Sequence, residues 1–597
     1  MKIMKKTFAI IAFALLGLTA CDILDKEPLS SLSPESYFTS ETELKLFSNT
    51  FYNSLLDKTP YRSQSDQYIE YDPSDLVKGG NSRTVPASGG GWSFTVLRKI
   101  NTMLAHIDNC EDEAVRAQYE GLCRFFRAYF YAEKVKRFGD VPWIDKELES
   151  DSELLYAPRD SREFIMGKII DDLDFAIANL PQTSSPYRVN RWTALALKSN
   201  ICLFEGTFRK YHNLNLEGKT WSDYLTLSAA AAKEIIVEGP YKLYSTGDPA
   251  HDYTNCFIQE ATDNSEMILA VNYDEGLGVL HNATWYGTGS TSGRVGVTKK
   301  IVDSYLMKDG TRFTDKQGWE TMQFAQQVAD RDPRLAQSIR TPGYKRIGSA
   351  DIALPDFDCS VTGYQTIKYV QAFGLSSDGY DKAFCDLPVF RLAEQYLNYA
   401  EALAELGTLQ QSDLDISINK LRDRVGMVHL DMSAANKTPD WYLESAEFGY
   451  PNVDKGANKG VILEIRRERT IELAQEGTRR WYDLMRWKEG KCVEQVMHGM
   501  YFPGPGEYDL DGNGSLDLCL YTGSKPSTKA TVVKQIGKDI MLSDGESGYV
   551  DPIAGNGIEC VFDEGRDYLY PIPSDDQSLN KNLSQNPGWP DLNAATE

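Results

Sequence analysis

The chain has 597 residues, 42% of them hydrophobic, and a formal net charge of −23. A surface this acidic repels nucleic-acid phosphates, which excludes DNA and RNA as expected partners. The apolar content is sufficient for a large core, and no run after the N-terminal segment is long enough to cross a bilayer.

The N-terminus has the pattern of an export signal. Three lysines lie within the first six residues, and residues 7–17 form an uncharged apolar run too short for a permanent membrane helix. The run ends in LTAC, which resembles a bacterial lipobox with Cys21 as the lipidated residue; an ordinary signal with an incidental cysteine is the alternative. We therefore predict a signal peptide over residues 1–20, a lipidated tether over residues 21–33, and acyl chains as the only contact with the membrane.

Helical periodicity dominates the remaining chain, residues 34–597, which we predict to be one body. Apolar residues recur at helical spacing in nine segments: residues 41–56, 92–107, 112–137, 161–179, 192–208, 224–237, 392–406, 413–425 and 461–476. Successive helices are expected to pack as pairs, which predicts a mainly α fold with a few short strands.

Small residues mark two of these helices. Closely spaced alanines occur in residues 191–206 and 391–407, and each segment meets a glycine, Gly206 and Gly407, at its expected end. Because small residues let helices approach closely, the pattern indicates degenerate tetratricopeptide-like pairs. Simple packing in an all-α body is the alternative.

The last long helix has an unusual charge pattern. Glu468, Glu472 and Glu476 follow one another at i, i+4 spacing, which destabilises a helix unless cations compensate. Six arginines lie close in sequence and are the expected partners: Arg466, Arg467, Arg469, Arg479, Arg480 and Arg486. We interpret the segment as an ion-paired scaffold rather than a catalytic site.

Long segments without periodicity separate the helical blocks. They are rich in Gly, Pro, Asp, Ser and aromatic residues, and they cover residues 239–297, 337–386, 428–460 and 499–567. Loops of this length in an ordered protein usually carry function.

Several sequence segments together resemble the SusD/RagB family of nutrient-uptake lipoproteins. They occur in the family's order: FRAYF at 126–130, RFGDVP at 137–142, RDPRL at 331–335, IRRERTIELAQEG at 465–477 and YPIP at 570–573. The resemblance implies tetratricopeptide-like helix pairs as scaffold, a glycan-binding face made by loops, and a place on the outer membrane facing the cell exterior. It also implies a partner, a SusC-type TonB-dependent barrel that receives the glycan.

The resemblance implies no catalytic machinery and no required cofactor. The six histidines form no HExxH pattern, so a zinc hydrolase is not indicated. Paired carboxylates cannot be judged from spacing in sequence, so a lipid-anchored glycoside hydrolase or lyase stays as one alternative. A lipoprotein that covers the transport barrel as a lid and captures peptides instead of glycans is another alternative.

Aromatic residues in the irregular segments are the candidate glycan contacts, because sugar rings present flat C–H patches to aromatic faces. Trp285 and Tyr286 lie in a polar segment that offers no reason to bury two large rings, with local packing as the alternative. Tyr71 and Trp319 are further candidates. Trp92 is a last one, although its place at the start of an amphipathic helix favours the core.

One segment resembles the first part of a calcium-binding loop. Oxygen-bearing side chains stand at alternate positions, with glycine at the sixth: Asp509, Asp511, Asn513, Ser515 and Asp517. Position 12 is Leu520, so the bidentate glutamate is missing. A weakened structural calcium site, a site completed by a carboxylate from elsewhere, and a plain Asp/Gly/Asn turn all fit the pattern.

Overall fold

The structure is a computed structural model that describes residues 34–56, 60, 65–263, 265–554 and 556–594. The predicted signal peptide, Cys21 and the tether over residues 21–33 lie outside the described residues. Within the described part, no helix combines the length and the apolarity needed to cross a membrane.

The main helices follow the predicted order. They are α1 (Glu41–Ser48), α2 (Thr95–Ala105), α3 (Glu113–Phe138), α4 (Arg162–Asn179), α5 (Arg191–His212), α6 (Trp221–Glu238), α7 (Ala283–Thr288), α8 (Leu392–Leu406), α9 (Lys459–Glu472) and α10 (Arg479–Arg486). The described residues contain further helices of four to eight residues: Asp75–Lys78, Asp252–Asn255, Lys299–Ser304, Phe324–Gln327, Pro333–Ala336, Gln411–Asp415, Ile418–Val425, Met432–Lys437, Trp441–Glu444 and Ser574–Leu579. The mainly α fold is thereby confirmed.

The helices stack as successive neighbours. α3 packs on both α2 and α4, α5 packs on α6, and α6 continues the stack onto α8, which contacts α9 in turn. Their facing sides form one large apolar cluster that extends from Phe38 to Leu583. The loops therefore extend from a rigid helical scaffold.

Side-chain caps explain where the long helices begin and end. Asp112 accepts hydrogen bonds from two backbone N–H groups in the first turn of α3, and Gly139, with a φ of 72°, ends that helix. Asn190 and Thr193 form a capping box at the start of α5, which ends at a left-handed Asn213. Such caps satisfy the backbone groups that a helix end leaves unpaired.

Gly206 corrects one prediction. It was expected to end a helix but lies inside α5, which continues to His212. A Cβ atom there would lie 2.7 Å from Cγ of Leu225 and 2.9 Å from the backbone oxygen of Trp221, both in α6. The missing side chain thus allows α5 and α6 to approach closely.

We expect Gly206→Ala to lower the free energy of unfolding by about 1–3 kcal/mol, because the added methyl group forces two packed helices apart. The matched control is Gly167→Ala in α4, where a Cβ meets no atom within 4 Å. That change should raise stability by about 0.5–1 kcal/mol through helix propensity alone. Thermal unfolding of both variants checks the pair, and equal shifts would contradict the close contact.

Short strands form four small sheets in the described residues. β1 (Tyr68–Ile69) pairs with β3 (Gly296–Val297), β2 (Met267–Val271) with β4 (Leu387–Arg391), and β5 (Tyr501–Phe502) with β9 (Gly548–Tyr549), all antiparallel. β7 (Leu518–Tyr521) lies between antiparallel β6 (Gly506–Tyr508) and parallel β8 (Val532–Gln535). The irregular segments are therefore tied to one another across large sequence separations.

A buried ionic network surrounds α9. Glu468, Glu472 and Glu476 are all buried. Their cations come from distant segments: Arg334 and Arg422 pair with Glu468, Arg334, Arg391 and Arg424 with Glu472, and Arg391 and Lys368 with Glu476. Cations do compensate the three glutamates, as predicted, but the direct ion pairs come from other segments; of the six expected arginines, Arg479 contributes by lowering the pKa of Glu476.

The arginines of the segment face other acids because they occupy other faces of the helices. Their partners are Glu489 for Arg466, Glu464 for Arg467, Asp483 for Arg469, Glu394 for Arg479, Asp66 for Arg480 and Glu401 for Arg486. α9 also ends at Glu472, four residues earlier than predicted, since Gln475 and Gly477 have φ angles of 63° and 66°. Glu476 thus reaches the network from a turn.

Candidate functional site

An exposed ring on an irregular segment, Tyr380, contacts the Trp285 ring on α7. The ring centroids of Trp285 and Tyr380 are 5.3 Å apart at an interplanar angle of 87°. Tyr380 is 65% exposed, and Trp285 is half-buried. Edge-to-face pairs of this kind hold each other in place while one face stays open to solvent.

Hydrogen bonds between two loops fix this pair. His281 and Ala383 exchange backbone hydrogen bonds of 2.9 and 3.0 Å. One residue further, the Asn282 side chain donates to the Asp381 carboxylate at 2.9 Å and accepts from the Asp381 backbone N–H at 2.6 Å. Because these four residues flank Trp285 and Tyr380, the clamp sets the distance between the two rings.

The Trp285 ring also depends on a glycine. Trp285 and Tyr286 had been expected on a polar loop, but both lie on α7, whose Thr284 hydroxyl donates to the backbone oxygen of Tyr369 at 2.9 Å. A Cβ on Gly289 would lie 2.8 Å from Nε1 of Trp285. The ring therefore rests against the backbone that ends the helix.

A second exposed ring lies beside charged groups. Phe373 is 62% exposed, and its backbone N–H donates to the oxygen of Ile347 at 2.7 Å. The Arg346 guanidinium lies 5.9 Å from the centre of this ring and donates to the Asp378 carboxylate at 2.9 Å. The turn that carries Asp378 contacts α7, so this ion pair lies near the helix that carries Trp285.

Tyr71 lies at the end of the same region. Its side chain is 55% exposed, and its backbone N–H donates to the oxygen of Gly293 at 2.9 Å. Gly293 lies shortly after α7 in sequence, next to the β1–β3 pair. The structure thus links Tyr71 to the segment that carries Trp285. We call Trp285, Tyr380, Phe373 and Tyr71 the aromatic face.

The other predicted aromatic residues are buried. Trp92 is 7% exposed and packs edge-to-face on Phe138 at 4.8 Å, as the alternative interpretation of a core residue expects. Trp319 is also 7% exposed and packs on Tyr442 at 5.5 Å. Tyr286 is 9% exposed. These three rings offer no open face to a ligand in this conformation.

Tyr380 was not predicted from the sequence. It lies in a run of Gly, Ser and Asp over residues 374–381, the same kind of context that singled out Trp285. That composition was the signal that could have found it.

The predicted calcium turn gathers three carboxylates. Oxygens of Asp509, Asp511 and Asp517 lie within 4.8 Å of one another. Burial, followed by the charges of the two neighbouring carboxylates, raises the pKa of Asp517. Both oxygens of Asp509 accept backbone N–H groups within the turn, as a plain Asp/Gly/Asn turn would also require. Ser515 and Asn513 contribute to the turn, and the ligand at position 12 is still lacking.

Calcium binding here remains a prediction with a simple test. If the ion binds, it neutralises crowded like charges, so 5 mM CaCl₂ should raise the thermal unfolding midpoint of the wild type above its value in EDTA. Asp511→Asn should remove that difference. An unchanged midpoint in the wild type would favour the plain turn.

Most of the chain matches models of known protein families. Residues 233–589 match the model of the SusD family, and residues 92–203 match a model described as "Starch-binding associating with outer membrane". The chain therefore belongs to the SusD family, and the predicted resemblance is confirmed.

Individual relatives cover nearly all of the chain at low identity. SusD-like protein P2 of Formosa agariphila is 24% identical over 524 residues, which cover 83% of this chain and 92% of that protein. Among solved structures, a SusD-like protein of Bacteroides fragilis has a TM-score of 0.67 at 22% identity and covers 94% of this chain and 100% of its own. A SusD-like carbohydrate binding protein of the same species has a TM-score of 0.60 at 21% identity, with coverages of 92% and 100%. These likenesses show the SusD fold.

Proposed function

We propose that this protein binds oligosaccharides at the cell surface through the aromatic face. The Trp285–Tyr380 pair carries the proposal, because its exposed Tyr380 ring and its half-buried Trp285 ring can stack on the C–H patches of sugars. Membership of the SusD family and the likeness to a carbohydrate binding protein support it.

The geometry suits recognition without a large rearrangement. The clamp at Asn282 and Asp381 holds the rings before a ligand arrives, which reduces the entropy lost on binding. Arg346 and Asp378 supply charged hydrogen-bonding groups next to Phe373. Rings provide affinity, and polar neighbours select among sugars.

Trp285→Ala and Tyr380→Ala are expected to weaken binding of the preferred oligosaccharide roughly 5- to 30-fold each, which corresponds to about 1–2 kcal/mol per ring. Tyr156→Ala is the matched control, because Tyr156 is equally an exposed tyrosine, at 55%, but lies far from α7 in sequence in a short helical turn. Affinity electrophoresis across a glycan panel, followed by calorimetry, gives the measurement. Wild-type affinity in both ring variants would refute the aromatic face.

Delivery to a TonB-dependent barrel of SusC type and lipidation at Cys21 belong to the same proposal. The lipobox pattern and the outer-membrane description of the second matched family support them. Mass spectrometry of the mature N-terminus tests the lipid on Cys21. Co-purification of a barrel from the outer membrane tests the partner, and surface proteolysis of whole cells tests the outward orientation.

Binding without catalysis completes the proposal. The acids gathered around α9 are buried in ion pairs, which leaves them poorly suited to proton transfer. Incubation with bound glycans should produce no new reducing ends. Chain shortening would instead support the glycoside hydrolase or lyase, and retention of peptides alone would support the peptide-binding lid.

A further inference from the structure

A cavity of about 490 Å³ lies between α2, α3 and the turn that follows α1, away from the segments of the aromatic face. Its size falls within the range of small-ligand pockets. The side chains of Phe126, Phe130 and Tyr482 contribute to its walls, and Asn53 and Thr95 bring polar groups to it.

Three cations line this cavity: Lys99, Lys134 and Arg137. Among the described residues, no carboxylate lies within ion-pair distance of any of them, whereas Glu133, the acid in the lining, pairs with Lys136. A neighbouring cavity shows the contrast, because each of its cations has a carboxylate partner: Lys136, Arg469, Arg479 and Arg486. Three neighbouring cations without an ion pair among the described residues are unexpected in a chain with a net charge of −23.

Lys134 is held in place by neutral groups. It is 6% exposed, and its ammonium group donates to the backbone oxygens of Gly91 and Ser93, the latter at 2.9 Å. It also lies 4.8 Å from the centre of the Phe130 ring. Burial, followed by repulsion from Arg137, lowers the pKa of Lys134 to about 7, although Glu133 and Asp576 act in the opposite direction.

Arg137 is also held in place by neutral groups, the Tyr570 ring and the backbone at Gly91. Its guanidinium lies 3.8 Å from the centre of the Tyr570 ring. A Cβ on Gly91 would lie 2.7 Å from Nε of Arg137, so this glycine, with a φ of 88°, leaves room for the arginine. Nε itself is buried and has no hydrogen-bond partner among the residues that the structure describes, and a buried unpaired donor is costly.

We propose that this cavity binds an anionic sugar unit, one that carries a carboxylate or a sulfate ester. Arg137 supplies charge-assisted hydrogen bonds to the anion, the anion in turn favours the charged form of the nearby Lys134, and Lys99 adds a cation at the exposed side. The aromatic walls accommodate the sugar ring. The assignment rests on the proposed saccharide binding and specifies its ligand class.

The test compares charged and neutral trisaccharides of similar size by calorimetry: maltotriose, cellotriose and galactotriose as neutral probes, trigalacturonate for the carboxylate, and O-sulfated galactotriose for the sulfate ester. We expect an anionic probe to bind the wild type more tightly than every neutral one, and the arm that binds identifies the anion. Raising NaCl from 50 to 200 mM should weaken that binding, since salt screens exposed charges.

Arg137→Gln should weaken binding of the anionic probe about 10- to 100-fold, because it removes a hydrogen bond to a charged group. Lys99→Gln should weaken it about 2- to 5-fold, because an exposed cation contributes up to about 1 kcal/mol. Lys168→Gln on α4, outside the cavity lining, is the control and should leave the affinity unchanged. Circular dichroism of Arg137→Gln checks its fold, and Lys99→Gln removes an exposed side chain, so the test does not depend on one variant.

The outcomes separate the two proposals. If neither anionic probe binds the wild type at millimolar concentration, or if both cavity variants bind as the wild type does, the cavity assignment is wrong. If neutral probes bind and Trp285→Ala alone weakens them, the proposed saccharide binding stands without the anionic subsite. If no saccharide in the broad glycan panel binds, the proposed function itself fails.

Discussion

Glu472→Gln is expected to destabilise the protein by about 3–5 kcal/mol. The Glu472 carboxylate is fully buried and pairs with Arg334, Arg391 and Arg424. Removing its charge leaves buried guanidinium groups with too little counter-charge, which costs more than the loss of a surface ion pair. The midpoint of chemical unfolding measures the effect, provided that the slope is unchanged.

The matched control removes an exposed pair. Asp174 contacts Lys198 at 2.5 Å, but its side chain is 55% exposed. Asp174→Asn should therefore change stability by less than about 1 kcal/mol. Similar shifts in the two variants would mean that the buried network contributes no more than a surface contact.

A steep loss of stability below about pH 4.5 is the second large effect. Neighbouring cations lower the pKa of Glu476 and of Glu401 from 4.5 to about 2 against the opposing effect of burial, and they lower the pKa of Glu472 further. A carboxyl group whose pKa is depressed by folding stabilises the native state above its unfolded pKa and loses that contribution as the pH falls towards its folded pKa. The network should therefore weaken progressively between about pH 4.5 and pH 2.

Between pH 7 and pH 5 the profile should be nearly flat. Burial raises the pKa of Glu489 to about 7 and of Asp386 to about 6, so acidification in this range favours their folded state. Burial also lowers the pKa of His212 and of His281 to about 4, so the unfolded chain binds those protons first, which opposes the gain.

Unfolding midpoints recorded from pH 7 to pH 3 test this profile. Glu401→Gln removes one depressed carboxyl group, and its stability should depend less on pH below 4.5 than that of the wild type. A decline that is already steep between pH 7 and pH 5 would show that the histidines, rather than the network, dominate acid unfolding.

Helical periodicity predicted the scaffold well, because a helix that buries one face requires apolar residues at helical spacing within its own segment. Boundaries were less accurate: the predicted helix over residues 413–425 is divided into Gln411–Asp415 and Ile418–Val425, where the Ser417 hydroxyl donates to the backbone oxygen of Asp413. Such side-chain hydrogen bonds compete with a continuous helix, and they leave no trace in apolar spacing.

Ion-pair partners could not be predicted from proximity in sequence. Arg334 lies 138 residues before Glu472 and Arg391 lies 81 before it, yet both donate to its carboxylate. Sequence neighbours on a helix diverge in direction, so a nearby arginine often faces another element. The charge imbalance was visible in the sequence, but the fold determines which cation corrects it.

In the candidate site, too, the sequence indicated some residues, while the fold determined which of them come together. The polar composition singled out Trp285 and Tyr286 alike, although Tyr286 is buried, and it did not reveal that Asn282 binds Asp381 across 99 residues and brings Tyr380 beside Trp285. Trp92 and Trp319 are aromatic residues at element boundaries, where packing on Phe138 or Tyr442 closes their faces. Aromatic content alone does not separate a platform from a core residue.

The clamp between Asn282 and Asp381 has an evolutionary consequence. One ring of the pair belongs to a short helix, and the other to a turn that returns to the same backbone at Ala383. Insertions or exchanges within residues 374–379 can therefore vary the surface around Tyr380 while both anchor points persist. If the aromatic face binds saccharides as proposed, its specificity can change in this way without changes in the helical stack.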